Sequence, residues 1–231
     1  MATAATTAVR PRWERRKEAR PSELLAAALD LFVEKGFAGT RLDDVAARAG
    51  VSKGTLYLYF ANKEDLFKAV VRENIVRNIA EAQQLVRTYD GDSGELLAHL
   101  MREWWRRIGE TPASGIPKLV VGESGNFPEI ARFYLDEVID PVHRLLADVI
   151  ERGMRRGEFR KVDAATFVRV MAAPLVMLLL WRHSFGPCGN RPIDPQRYLA
   201  IHVDNTLRAL RREPAAPDHP ARRAAPGRRR R

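Results

Sequence analysis

The chain has 231 residues, 45% hydrophobic and 29% charged, with 39 Lys+Arg against 29 Asp+Glu for a net charge of +10. Such a composition is that of a globular chain, excluding a wholly disordered one, and the length suits one large domain or a small domain fused to a larger one. A single cysteine, Cys188, excludes an internal disulfide framework and a cysteine-rich zinc site, and it fits a reducing compartment.

The first twenty residues have no apolar core of the kind a secretory signal needs. They carry six basic and two acidic side chains, and residues 207–231 carry nine and two. The intervening 21–206 hold 24 basic against 25 acidic, so the excess positive charge lies in the two ends. Basic ends attract anionic partners such as nucleic acid without specifying a fold. We expect a flexible basic arm over 1–17 and a disordered Arg/Pro-rich tail over 213–231, where little can be buried.

Between these ends nearly every segment has helical spacing. Leu24, Ala28, Leu31 and Phe32 define the apolar face of a first helix over 21–35, with Pro21 in its opening turn and Gly36 beyond its end. Thr40 and Asp43 have capping-box spacing and open a short helix that stops at Gly50. Ser52 caps another over 53–60. Helices follow at about 63–88, 94–109, 116–124, 128–156, 163–185 and 195–212, with a Gly/Pro/Asn loop at 186–195. No segment alternates as a strand, so the expected fold is all-α, with about nine helices. The most apolar run, Val170 to Trp181, has 12 residues where a membrane span needs roughly 20. It is therefore expected as a buried helix, with no membrane partner and a cytoplasmic location. Pro174 within it is a candidate kink.

The segment 41–60 has the spacing of a helix-turn-helix. Ala46 is small enough for two helices to cross, Gly50 suits a turn that needs positive φ, and Leu56 returns an apolar side chain to the first helix. Leu42, Val45, Ala49, Val51 and Phe60 complete a small core. The start of the second helix would then face a DNA major groove. Ser52, Lys53, Thr55 and Tyr57 supply polar groups there, and Gly54 permits close backbone approach. Lys53 suits a guanine edge or a phosphate, whereas Tyr57, Tyr59 and Lys63 suit phosphate. Thr40 and Arg41 would clamp the flanking strand.

At these residues, 20–80 resembles the DNA-binding domain of TetR-family repressors: EKGFAGT, then LDDVAARAGVSKGTLYLYF, then NKEDLF. The resemblance implies a helix-turn-helix head over 18–78 and an effector-binding and dimerisation domain over 79–212. It places DNA contacts at Thr40, Arg41, Ser52, Lys53, Thr55, Tyr57, Tyr59 and Lys63, while Leu58 stands where the family is often polar. It further implies a homodimer on a palindromic double-stranded DNA operator, released by an unknown small-molecule effector. Met101, Trp104, Trp105, Phe127, Phe133, Tyr134, Met171 and Met177 are candidates to line the effector pocket, with His99 or Arg132 orienting the ligand. Plain core packing is the alternative for each of them. The apolar run 170–181 with Ala200, Val203, Leu207 and Leu210 is the candidate dimer interface, monomer core being the alternative.

No catalytic constellation, phosphate loop or metal-ligand spacing is present in the sequence, so neither an enzyme nor a cofactor is expected. His99, His143 and His183 do not have paired ligand spacing and are expected as ordinary histidines. Cys188 is expected as an incidental thiol. The alternative function is a non-specific, nucleoid-type DNA binder working through its basic tails.

Overall fold

The computed structural model describes residues 12–189 and 192–211. Of the arm expected over 1–17, residues 1–11 lie outside them and 12–17 are helical, and the tail over 213–231 lies outside them too. Nine helices are present among the described residues: α1 (Arg12–Gly39), α2 (Leu42–Arg48), α3 (Lys53–Tyr57), α4 (63–88), α5 (93–109), α6 (Ile116–Glu123), α7 (128–155), α8 (Ala164–Ser184) and α9 (Pro195–Leu210). No strand occurs among these residues; a single antiparallel bridge pairs Phe159 with Arg211.

The first helix departs from expectation at both ends. Its backbone is helical from Arg12, with Pro21 inside it rather than at its start. The preceding RWERRKEAR is rich in strong helix formers, which outweighs the one backbone donor that proline lacks. At the other end Gly36 takes φ 77° and ψ 171°, which breaks the helical run. Phe37 is thereby turned fully into the core, against Phe32 and Phe67 at ring separations of 5.7 Å each.

Helices α1, α2 and α3 close around Leu24, Leu31, Phe32, Val45, Ala46 and Leu56, all buried. Gly50 has φ 65° in the turn between α2 and α3, as that turn requires. Exposed ion pairs link the helices from outside: Lys35 to Asp44 at 2.9 Å, Arg48 to Glu34 at 2.7 Å and Lys53 to Asp43 at 2.8 Å.

This core continues along α4 through Val70, Val71 and Ile75 into α6 and α7, where Ile116, Ile130 and Val138 join it. The head therefore shares one apolar cluster with the body, and the expected division at 78/79 falls inside α4. A second cluster, around Leu97, Met101, Trp105, Val149, Val168 and Leu179, binds α5, α7, α8 and α9. Arg152 anchors the α4–α5 connection, donating to the carbonyls of Tyr89 and Gly91 and to Ser93 Oγ.

Helix α8 is longer than its apolar run suggests. Its 21 residues are enough, by length and apolarity, to cross a membrane, yet one side packs into the second cluster through Val168, Met171, Leu175, Leu178 and Leu179. The opposite side is not buried as expected. Val170 and Met177 are 67% and 54% exposed, and Trp181, Phe185 and, on α9, Ile201 are exposed with them. The helix runs on through Pro174, and α9 bonds to the carbonyls around it: Tyr198 Oη donates to Pro174 O and His202 Nε2 meets Met171 O at 2.8 Å.

Candidate functional site

The exposed rim of the head carries the polar groups expected at a nucleic-acid surface. Ser52 caps α3, its Oγ accepting from Thr55 N at 3.1 Å and sharing a hydrogen bond with Thr55 Oγ1 at 2.8 Å. Leu56 is fully buried beneath, while Lys53, Gly54, Tyr57, Leu58 and Tyr59 face outward. Lys53 lies over the Tyr57 ring at 6.0 Å while paired with Asp43, whose hydrogen bond is the main cause raising the lysine pKa. That pair is fully exposed, so a phosphate can exchange for the carboxylate readily. A methyl group at Gly54 would meet only Ser52 Oγ, at 3.8 Å. Arg41, the N-cap of α2, is exposed.

Thr40 sits differently from its expected place. It is 1% exposed, and its hydroxyl donates inward to Gly36 O at 2.7 Å and Leu31 O at 3.1 Å. Arg41 rather than Thr40 is the N-cap of α2, and no side chain caps that helix. The threonine hydroxyl bonds to the carbonyls of Leu31 and Gly36 beside the backbone break, so Thr40 is turned into the head's core and not to its outer face.

Lys63, at the first turn of α4, also turns partly inward. Its ammonium donates to Ala38 O at 3.2 Å and lies 4.6 Å above the Phe37 ring. The same Phe37–Gly39 stretch touches the body: Glu123 Oε1, at the end of α6, accepts from Ala38 N at 3.1 Å, and Phe127 meets Phe37 edge-on at 4.8 Å. A second tie joins α4 to α7. Arg72 donates to both carboxylate oxygens of Glu137, at 2.8 Å and 2.5 Å, and holds that carboxyl below its usual range.

The body encloses a cavity of about 480 Å³ where the two apolar clusters meet. Ile75, Ile79, Ala82 and Leu85 of α4 form one wall, Leu100, Met101 and Trp104 of α5 another. Pro117 and Val120 of α6, Tyr134, Val138 and Val142 of α7, and Met171 and Leu175 of α8 complete it. Each of α4, α5 and α7 widens into a π turn, at Arg72–Val76, Trp105–Gly109 and Leu135–Ile139, and each turn contributes lining residues: Ile75, Ile108 and Val138.

Of the eight residues expected to line a pocket, Met101, Trp104, Tyr134 and Met171 do. The other four do not. Trp105 is buried behind the wall, with the one buried side-chain polar atom lacking a partner among the described residues, Nε1. Phe127 packs on the head, and Phe133 lies in the first cluster beneath Arg72, 5.2 Å from its guanidinium. Met177 lies on the exposed side of α8. His99 and His143 line the cavity, Arg132 does not, and His183 is bonded to Ser114 Oγ at 2.9 Å. The wall from α4 was legible as the i, i+4, i+7, i+10 series Ile75, Ile79, Ala82, Leu85.

A helix-turn-helix head with an outward-facing second helix, joined by one apolar cluster to a helical body with a cavity, defines a DNA-binding regulator architecture. Two family models match in that order: "Bacterial regulatory proteins, tetR family" over residues 24–70 and "Tetracyclin repressor-like, C-terminal domain" over 90–187. The chain belongs to the TetR family and is a DNA-binding transcriptional regulator. It is 27% identical to the HTH-type transcriptional repressor KstR2 of Rhodococcus jostii over 81% of this chain and 91% of that one. Among solved structures, it resembles a putative transcriptional regulator from Saccharomonospora viridis in complex with choline, at a TM-score of 0.70 and 24% identity over 85% of this chain and all of that one. It also resembles FadR from Bacillus subtilis in complex with stearoyl-CoA, at a TM-score of 0.68 and 18% identity over 82% and 98% of the two chains.

Proposed function

We propose that the chain is a cytoplasmic, ligand-responsive repressor that binds a near-palindromic operator as a homodimer and acts by binding alone, without catalysis. The observation that carries this reading is the bare start of α3. Leu56 is anchored in the core while Lys53, Gly54 and Tyr57 stand clear of it, which is how a recognition helix meets base edges and phosphates. On this reading Arg41, Ser52, Lys53, Thr55, Tyr57, Tyr59 and Lys63 contact DNA, and Thr40 positions the strand-facing loop. The unburied apolar side of α8 and α9 meets a second copy, because one head reads too few base pairs for a specific operator.

Helix α6 supplies the means of release. It lines the cavity through Pro117 and Val120 and ends at Glu123, which holds the Ala38 peptide that in turn holds Lys63. A ligand that shifts α6 moves the head, provided that it binds the released arrangement more tightly than the DNA-bound one.

Selection of bound fragments from genomic DNA, with footprinting of the winner, supplies the operator and tests the reading. Tyr57→Ala and Lys63→Ala should each weaken operator and random DNA together. For Lys63→Ala the slope of log affinity against log salt should fall by about 1, measured by fluorescence anisotropy across a salt series. Gly54→Ala should move stability and binding in opposite directions. It should raise the unfolding free energy by about 0.5–1 kcal/mol, since alanine is the better helix former, while the added methyl group, which nothing in the protein opposes, weakens operator binding. A Gly54→Ala variant with unchanged operator affinity would remove α3 from the interface.

A further inference from the structure

Ligands as different as choline and an acyl thioester occur on this fold, so the ligand class must come from this cavity's own lining. Its charged groups are already committed to one another. Arg107 donates to Glu103 Oε2 at 3.1 Å, to Asn78 Oδ1 at 3.2 Å and to Glu81, and Glu103 is gripped again by Arg106 at 3.0 Å and 2.6 Å. Arg106 and then Arg107 hold the Glu103 carboxyl down at about 2, so it stays ionised and paired throughout the physiological range. A carboxylate entering the cavity would have to break these pairs to reach Arg107, and an ammonium would have to break them to reach Glu103.

Asn78 is likewise bonded, to Arg107 and to Asn74 O, but Tyr134 and His143 are uncommitted. Tyr134 lines the cavity, and its hydroxyl makes no hydrogen bond among the described residues. Burial pushes the phenol well above its ordinary pKa, so it remains a neutral donor. His143, on the next turns of α7, also lines the cavity, and burial followed by the Arg169 charge keeps its imidazole neutral despite Asp140. A hydroxyl that opens onto the cavity without a protein partner favours a ligand that supplies one over a ligand that does not.

We infer that the cavity takes an uncharged, largely apolar molecule carrying a carbonyl or similar acceptor oxygen, which receives a hydrogen bond from Tyr134. The inference rests on the reading of this cavity as the effector site, but the two can fail separately.

Three probes with a twelve-carbon chain and different head groups decide it: methyl dodecanoate, dodecanoate and dodecyltrimethylammonium. Each is titrated below its aggregation limit into the full-length protein and followed by tryptophan fluorescence, with Trp104 in the cavity wall. The ester should bind about tenfold tighter than either charged probe, and Tyr134→Phe should remove about that factor for the ester alone. The thermal midpoint of Tyr134→Phe should stay close to that of the parent, because no hydrogen bond among the described residues is lost. Tightest binding by a charged probe, no binding by any of the three, or an ester affinity indifferent to Tyr134→Phe would each overturn the assignment. If the ester binds through Tyr134 but leaves operator affinity unchanged, the ligand class stands and the effector-site reading fails.

Discussion

On the proposed homodimer, Met177→Glu should give a folded monomer whose operator affinity is lower by about 100-fold or more, because two linked heads bind with an avidity that one head lacks. Met177 is 54% exposed at the centre of an apolar strip that runs from Val170 past Trp181, with Ile201 of α9 alongside. Nothing in the chain's own core depends on it, since the buried side of α8 is carried by Val168, Met171, Leu175, Leu178 and Leu179. A carboxylate there costs little in the monomer, but in a two-fold interface it is buried opposite apolar groups and near its own copy. Far-UV circular dichroism should remain helical, light scattering should report half the parent mass, and the concentration dependence of the parent's melting temperature should vanish. A Met177→Glu protein that remains dimeric with full operator affinity would place the interface elsewhere.

The same residue shows where sequence reading reaches its limit. Helical periodicity announces that α8 has apolar residues on every side, but not which side meets the protein's own core and which is left exposed. Met171 and Met177 therefore looked alike, yet one lines the cavity and the other faces outward. The presence of each helix was legible, and its ends were where caps mark them: Asp92, Asp163 and Asp194 cap α5, α8 and α9, as Ser52 caps α3; the ends of α1 were not. The π turns were not legible, since a one-residue widening leaves local composition unchanged; they arise where neighbouring helices must spread around the cavity. Thr40 was misplaced for a related reason. Its spacing to Asp43 fits a capping box, but the carbonyls of Leu31 and Gly36 take the hydroxyl instead. Glu123 and Phe127, which tie the body to the head, lie 85 and 90 residues from the groups they touch, a pairing no local pattern encodes.

Gly36→Ala should destabilise the protein by about 2–3 kcal/mol, near the upper end for a strained backbone position, and Gly50→Ala by about 1 kcal/mol. Both glycines have positive φ, but the two sites differ. Gly50, at φ 65°, has no atom within 4 Å of where a Cβ would stand, so alanine there suffers only the left-handed backbone. Gly36 combines φ 77° with ψ 171°, a region other residues scarcely enter, and its Cβ would stand 3.2 Å from Glu123 Oε1. That oxygen is the one accepting from Ala38 N, so the methyl group presses on the tie between body and head. Denaturant unfolding of Gly36→Ala, Glu123→Ala and the double variant separates the two costs. Backbone strain persists in the double variant, whereas pressure on the carboxylate disappears, so the two changes together should cost about 0.5–1 kcal/mol less than their sum. Strict additivity would mean that Gly36 and Glu123 are energetically independent, and the route from α6 through Ala38 to Lys63 would lose its first link.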